Sequence, residues 1–184
     1  MKNSGNITDI EKTDIEVLTG LRFQPEQFLQ KIEKSKRLRK QGITCQFITV
    51  IYGLCWILQF RIRIQATKKT SRYIGYYAGF DETVMSPGKL ALLPGSERKS
   101  VDRRLILADK LTEKEAVKRA WEYNKQGIIR KYRILQNPPE LVDYVADRCY
   151  KPLYLMEFHN SQLDEKKYRL LDSLTGDLQE FRIE

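Results

Sequence analysis

The sequence predicts an α+β protein built from two tandem units, each a helix packed on an antiparallel sheet, and three observations carry that expectation. First, Lys40-Gln41-Gly42-Ile43 returns as Lys125-Gln126-Gly127-Ile128, each time between a polar, helix-like stretch and an apolar one. Further matches follow in order. Trp56-Ile57-Leu58-Gln59-Phe60 corresponds to Tyr154-Leu155-Met156-Glu157-Phe158, Tyr77 to Asp81 corresponds to Tyr168 to Asp172, and Ser86 to Leu90 corresponds to Leu174 to Leu178. A series that keeps its order signals one supersecondary unit written twice. Second, Leu58, Phe60, Ile62, Ile64 and Ala66 alternate with Gln59, Arg61, Arg63 and Gln65, the period of a strand with one covered face. Third, Thr112 and Glu115 have the spacing of a capping box ahead of Ala116, Val117, Ala120 and Trp121, which recur at helical intervals.

The expected organisation is a polar N-terminal segment (1–22), a first helix-plus-sheet unit (23–93), a basic linker (94–110) and a second unit (111–184). The first helix starts near Pro25, a favoured first-turn residue, runs through Phe28, Leu29 and Ile32, and ends before Gly42. Ile43 to Phe60 follows without a single charge, flanked by Lys36-Arg37-Leu38-Arg39-Lys40 on one side and by Arg61 and Arg63 on the other. Its length is that of a marginal membrane span. Thr44, Gln46, Thr49 and Gln59 and the β-branched content favour strands instead, with a bend at Tyr52-Gly53-Leu54, so a membrane anchor through 43–60 is the lesser alternative. Lys68-Lys69-Thr70-Ser71 is the expected turn into a returning strand, Arg72 to Phe80. Pro94 to Arg104, polar and basic with Gly95 and Ser96, reads as the linker. In the second unit Gly127 is expected to stop the helix, Ile128 to Gln136 to form a strand, Asn137 to Cys149 to be an insert, and Leu153 to Phe158 with Lys167 to Leu171 to form the hairpin.

Composition excludes some functions and leaves others open. Of the 184 residues, 41% are hydrophobic and 31% charged, the balance of a soluble globular protein. Cys45, Cys55 and Cys149 show no Cys-x-x-Cys spacing and accompany a single histidine, which argues against a zinc site; they read as buried thiols, with one disulfide left open. The N-terminus lacks the pattern of a signal peptide, so a cytoplasmic setting is expected. The net charge of +9 gathers in Lys31, Lys34, Lys36, Arg37, Arg39 and Lys40 and again in Arg98, Lys99, Arg103 and Arg104. Such clusters suit nucleic-acid phosphates or an anionic surface, although Glu26, Glu33, Asp102 and Asp109 interleave with them.

No residue set points to catalysis, to a metal or to a cofactor. Asp81 and Asp172 each end a hairpin strand, where an aspartate accepts amide hydrogen bonds in a tight turn and Gly176 supplies a positive φ. They could act as an acid and base pair only if the two units docked turn to turn. His159 lies at a hairpin tip beside Asn160 and Ser161, and Gly75 to Gly79 falls within a strand pattern rather than a phosphate loop.

Leu111-Thr112-Glu113-Lys114-Glu115-Ala116, the hairpin that follows, and Tyr168 to Leu178 with its Asp172-Ser173-Leu174-Thr175-Gly176 turn together resemble the PepSY domain pattern. In that family a helix precedes a hairpin closed by Asp-x-x-Thr-Gly and a short last strand. The resemblance spans about 111 to 183 and, more loosely, 23 to 93; it departs at Asp81 to Gly88, which is longer, and at the Asn137 to Cys149 insert. It implies a PepSY or cystatin-like fold and a non-enzymatic role in binding a protein or peptide, regulatory or inhibitory toward proteases. Exposed edge strands would supply the contact. The competing expectation is a basic nucleic-acid or anionic-surface binder.

Overall fold

Alternating large apolar and β-branched side chains carry Ile43–Gln65 through 23 residues as one strand, where a bend at Gly53 is the sequence expectation. In this computed structural model residues 11–20, 23–65, 70–133 and 137–181 are described. They form β1 (Lys12–Leu18), α1 (Pro25–Lys34), α2 (Lys36–Lys40), β2 (Ile43–Gln65), β3 (Ser71–Asp81), β4 (Ser86–Lys89), β5 (Ser96–Asp102), α3 (Glu113–Tyr132), β6 (Glu140–Asn160), β7 (Glu165–Asp172) and β8 (Leu178–Phe181). The fold is α+β. One eight-stranded sheet runs β4-β3-β2-β6-β1-β5, with β7 on β6 and β8 on β7.

The spine of this sheet is the antiparallel pair of β2 and β6, running from Ile43 opposite Asn160 to Arg63 opposite Glu140 with register shifts at Phe47/Thr49 and Arg61/Ile62. Only the C-terminal part of each carries a returning strand: Cys55 to Gln65 pairs with β3, and Leu153 to Asn160 with β7. Gly53 stays extended because the space above it is taken. A Cβ there would lie 2.2 Å from Thr83 Cγ2 and 3.0 Å from Leu153 Cδ1. The uncharged segment is therefore strand, and among the described residues no helix is long and apolar enough to cross a membrane.

Side chains alternate across β2, so Leu54, Trp56, Leu58, Phe60, Ile62 and Ile64 share one face. On it lies α3, burying Ala116, Val117, Ala120, Trp121 and Ile128, with Phe60 and Trp121 meeting edge to face at 6.1 Å. Each large side chain so buried contributes on the order of 1.5–3 kcal/mol. Farther along, α1 sets Phe28 and Leu29 against Tyr154, Met156 and Leu171. The other face holds Cys55, Ile57 and Cys149, then Ile51, Leu153, Leu155 and Leu170.

The expected helix starts hold: Pro25 opens α1, and the Thr112–Glu115 capping box is present in both directions. Several expectations need correcting. Gly127 does not end α3, which runs to Tyr132 and closes on Arg133 at φ 50°; a mid-helix glycine costs only about 1 kcal/mol, and Ile128 beyond it is fully buried. Ile128 to Tyr132 is thus helix rather than strand, so the second Lys-Gln-Gly-Ile lies inside α3 while the first joins α2 to β2. The presumed insert from Asn137 becomes the opening half of β6, the basic linker forms edge strand β5, and the N-terminal segment contains β1. Leu174 to Asp177 is a turn although Ser86–Lys89 is strand, so the last sequence match is displaced. Ala66, Lys68 and Lys69 of the expected first hairpin, and Ile134 to Gln136, lie outside the described residues.

Candidate functional site

Where β2 and β6 cross at mid-length, Gly53 stands opposite Lys151. The missing side chain on β2 and the long one on β6 share the face that α1 and α3 leave uncovered, and the Lys151 side chain is completely buried there. From opposite flanks two strand ends reach it. Asp81 ends β3 opposite Cys55, and Asp172 ends β7 opposite Leu153. The Lys151 ammonium donates to Oδ2 of both aspartates.

The remaining carboxylate oxygens hold the turns. Asp81 Oδ1 accepts the Thr83 N–H at 2.9 Å and the Thr83 hydroxyl at 2.5 Å. Asp172 Oδ1 accepts the Leu174 and Thr175 N–H groups at 2.8 and 3.2 Å. Gly176, at φ +78°, returns its N–H to the Asp172 carbonyl at 2.9 Å. The expected turn role of both aspartates is what these oxygens perform. Unforeseen from spacing was that the two turns dock through one lysine. Its signature in the sequence is a single cation inside the apolar run Cys149 to Met156, a position where charge is costly unless paired.

Burial pulls the Lys151 pKa down, but the two carboxylates outweigh it and hold the amine above the ordinary lysine value. The amine therefore stays protonated at neutral pH. A protonated, enclosed ammonium is a clamp and has no lone pair for nucleophilic or Schiff-base chemistry. Burial, then the Asp81 charge, drives the neighbouring Cys55 thiol well above its usual range, which keeps it unreactive. Cys149, directly across from Cys55, and Cys45 are both raised to about 11 by burial, and all three cysteines are free. Beside Asp81, the Glu82 carboxylate, only 2% exposed, accepts the Trp56 indole N–H at 2.7 Å and the Lys110 N–H at 2.6 Å. This ties the start of the α3 segment to the β3–β4 turn. His159 lies near the β6–β7 turn, its Nε2 3.3 Å from Asp164 Oδ1. Among the described residues no group of three or more His, Cys, Asp and Glu side chains could hold a metal ion.

A second feature is the outer edge of β2. Between Ile43 and Ile51 it pairs only with β6, because β3 starts its pairing at Cys55. At Tyr52 the chain itself begins to cover this edge: Ile106 bridges to it in parallel, and the Leu107 N–H donates to the Tyr52 carbonyl at 2.9 Å. Beyond that bridge lies a groove of about 420 Å3, with Phe47, Ile48 and Val50 on one side and Val101 and Leu105 on the other. Compared with family models, curated proteins and solved structures, the chain matches none.

The two basic clusters differ in kind. Arg98, Lys99, Arg103 and Arg104 pair with Asp14, Glu97, Glu11 and Asp102 at 3.0, 2.7, 2.8 and 2.6 Å. Lys36, Arg37, Arg39 and Lys40 on α2 are all exposed and have no carboxylate partner among the described residues.

Proposed function

We propose that the chain is a non-enzymatic protein- or peptide-binding module that takes an extended partner segment as an added strand along the open edge of β2. The supporting observation is that edge. Ile43 to Ile51 is nine residues without a charge or a proline, two of the devices by which exposed edges avoid pairing, although the register with β6 shifts between Phe47 and Thr49. Backbone donors and acceptors there would supply affinity, and the groove beside Phe47 and Ile48 would select side chains. The Ile106 bridge starts the same kind of pairing at one end.

The same reading takes the chain as two PepSY-like helix-plus-sheet copies, over 23–93 and 111–184, fused through β2 and β6. In its support, Trp56 to Phe60 and Tyr154 to Phe158 each pair with a returning strand that ends in an aspartate, and each of those strands carries a short third one. A regulatory or inhibitory role toward a protease follows from the PepSY resemblance alone.

Selection from a random peptide display library on the immobilised protein tests the binding role. Extended, β-branched or aromatic peptides are expected, with affinity lowered about tenfold or more by Ile48→Lys, a charge on the edge, and nearly independent of salt. Enrichment of polyanions, or binding that collapses between 50 and 200 mM salt as phosphate contacts do, overturns it. That outcome belongs to the second reading, a basic nucleic-acid or anionic-surface binder, which the unpaired cations of α2 favour.

A further inference from the structure

Where α1 ends, the helix breaks: Ser35 leaves helical geometry, and its hydroxyl accepts the Leu38 N–H at 3.5 Å as the cap of α2. Between this α1–α2 break and β6, β7 and β8 lies a cavity of about 390 Å3 with Ile32, Leu38, Phe158 and Leu178 in its lining. That volume is within the range of small-molecule sites, about 300–1,000 Å3.

Two cations and one carboxylate from β7, Lys167, Arg169 and Glu165, enter the same lining. The two cations are not equivalent. Lys167 is satisfied by Glu165 at 3.5 Å. Arg169 is half-buried, and among the described residues it has no carboxylate, carbonyl or ring partner; Glu180 stands opposite it on β8 without forming an ion pair. A partly exposed guanidinium whose fork of donors meets no protein acceptor is open to an oxyanion, which matches it in two parallel hydrogen bonds.

We infer that this cavity is a binding site for an anionic amphiphile, a single hydrocarbon chain bearing one acidic head. The head takes Arg169, with Lys167 beside it, and the chain lies among Ile32, Leu38, Phe158 and Leu178. Half of the chemistry is hydrophobic burial and half is charge, so neither a bare anion nor an uncharged alcohol satisfies the site. Leu38 brings α2 into the lining, and the exposed cations of that same short helix would raise the local concentration of anions. Such a ligand could arrive free or as part of a membrane lipid.

Calorimetric titration of the full chain with monomeric decanoate tests the site, with butyrate and decanol as controls. Saturable binding of decanoate is expected, about tenfold or more tighter than either control, weakened about tenfold by Arg169→Leu and retained in part by Arg169→Lys. Leu38→Trp, which fills the cavity, should abolish it, with thermal melts confirming that each variant folds. Butyrate binding as well as decanoate, or indifference to Arg169→Leu in the folded variant, overturns the proposal. Co-sedimentation with phosphatidylglycerol vesicles separates the sources: a loss with Arg169→Leu identifies a lipid head and chain. Salt-sensitive co-sedimentation untouched by both variants, without decanoate binding, assigns the attraction to α2 and rejects the cavity.

Discussion

Lys151 is the residue on which most of the centre depends, because a buried ammonium with two carboxylates is stable only while all three are present. Replacing it alone, as Lys151→Met, leaves the buried Asp172 and the partly exposed Asp81 without a counter-charge. Removing one partner of a buried ion pair costs about 3–5 kcal/mol, a loss that urea denaturation would read directly. Adding Asp81→Asn and Asp172→Asn to Lys151→Met should recover much of it, since an amide oxygen still accepts the turn N–H groups and no charge is stranded. No recovery in the triple variant would mean that packing, and not charge, holds the centre. The sign with pH follows from the raised lysine pKa. The contribution is whole below the ordinary lysine value, about 10.4, and is lost only as pH climbs through the higher folded value.

At the scale of elements, α3 offers two tests. Glu115 has its pKa lowered by the Thr112 N–H and then by the Thr112 hydroxyl. Its contribution is complete above the usual glutamate range, about 4.3, and disappears as pH falls through the lower folded value, so Glu115→Gln should flatten that part of the stability profile. A Cβ on Gly127 would meet nothing within 4 Å. Gly127→Ala is therefore expected to stabilise the protein by about 0.5–1 kcal/mol in thermal or chemical unfolding, through helix propensity. This helix was legible in sequence because its cap and apolar stripe are local. Its end was not, since burial of Ile128 outweighs the glycine and is set by the sheet. β2 hid its length for a similar reason: around its middle both faces are covered, so the alternation that marks Leu58 to Ile64 fades. Asp81 and Asp172 were legible as turn residues, whereas their meeting on Lys151 depends on strand pairing over 70 and 21 residues of chain.

For the molecule as a whole, continuous pairing of β2 with β6 means that neither half has a complete sheet without the other. Unfolding should be a single cooperative transition, with calorimetric and van't Hoff enthalpies equal, and fragments 23–93 and 111–184 should be unfolded when expressed apart. Two separate transitions would instead show independent domains. On the proposed two-copy reading, the Gly53–Lys151 crossing falls on the axis relating the copies, so that one empty position and one filled one stand at equivalent places. A dimer of identical chains would have to put two glycines there, leaving both aspartates unneutralised, or two lysines, crowding like charges where Thr83 already fills the space. Covalent fusion lets symmetry be broken at that point, and an ancestor assembled from identical unlinked subunits would have needed a different solution at its centre.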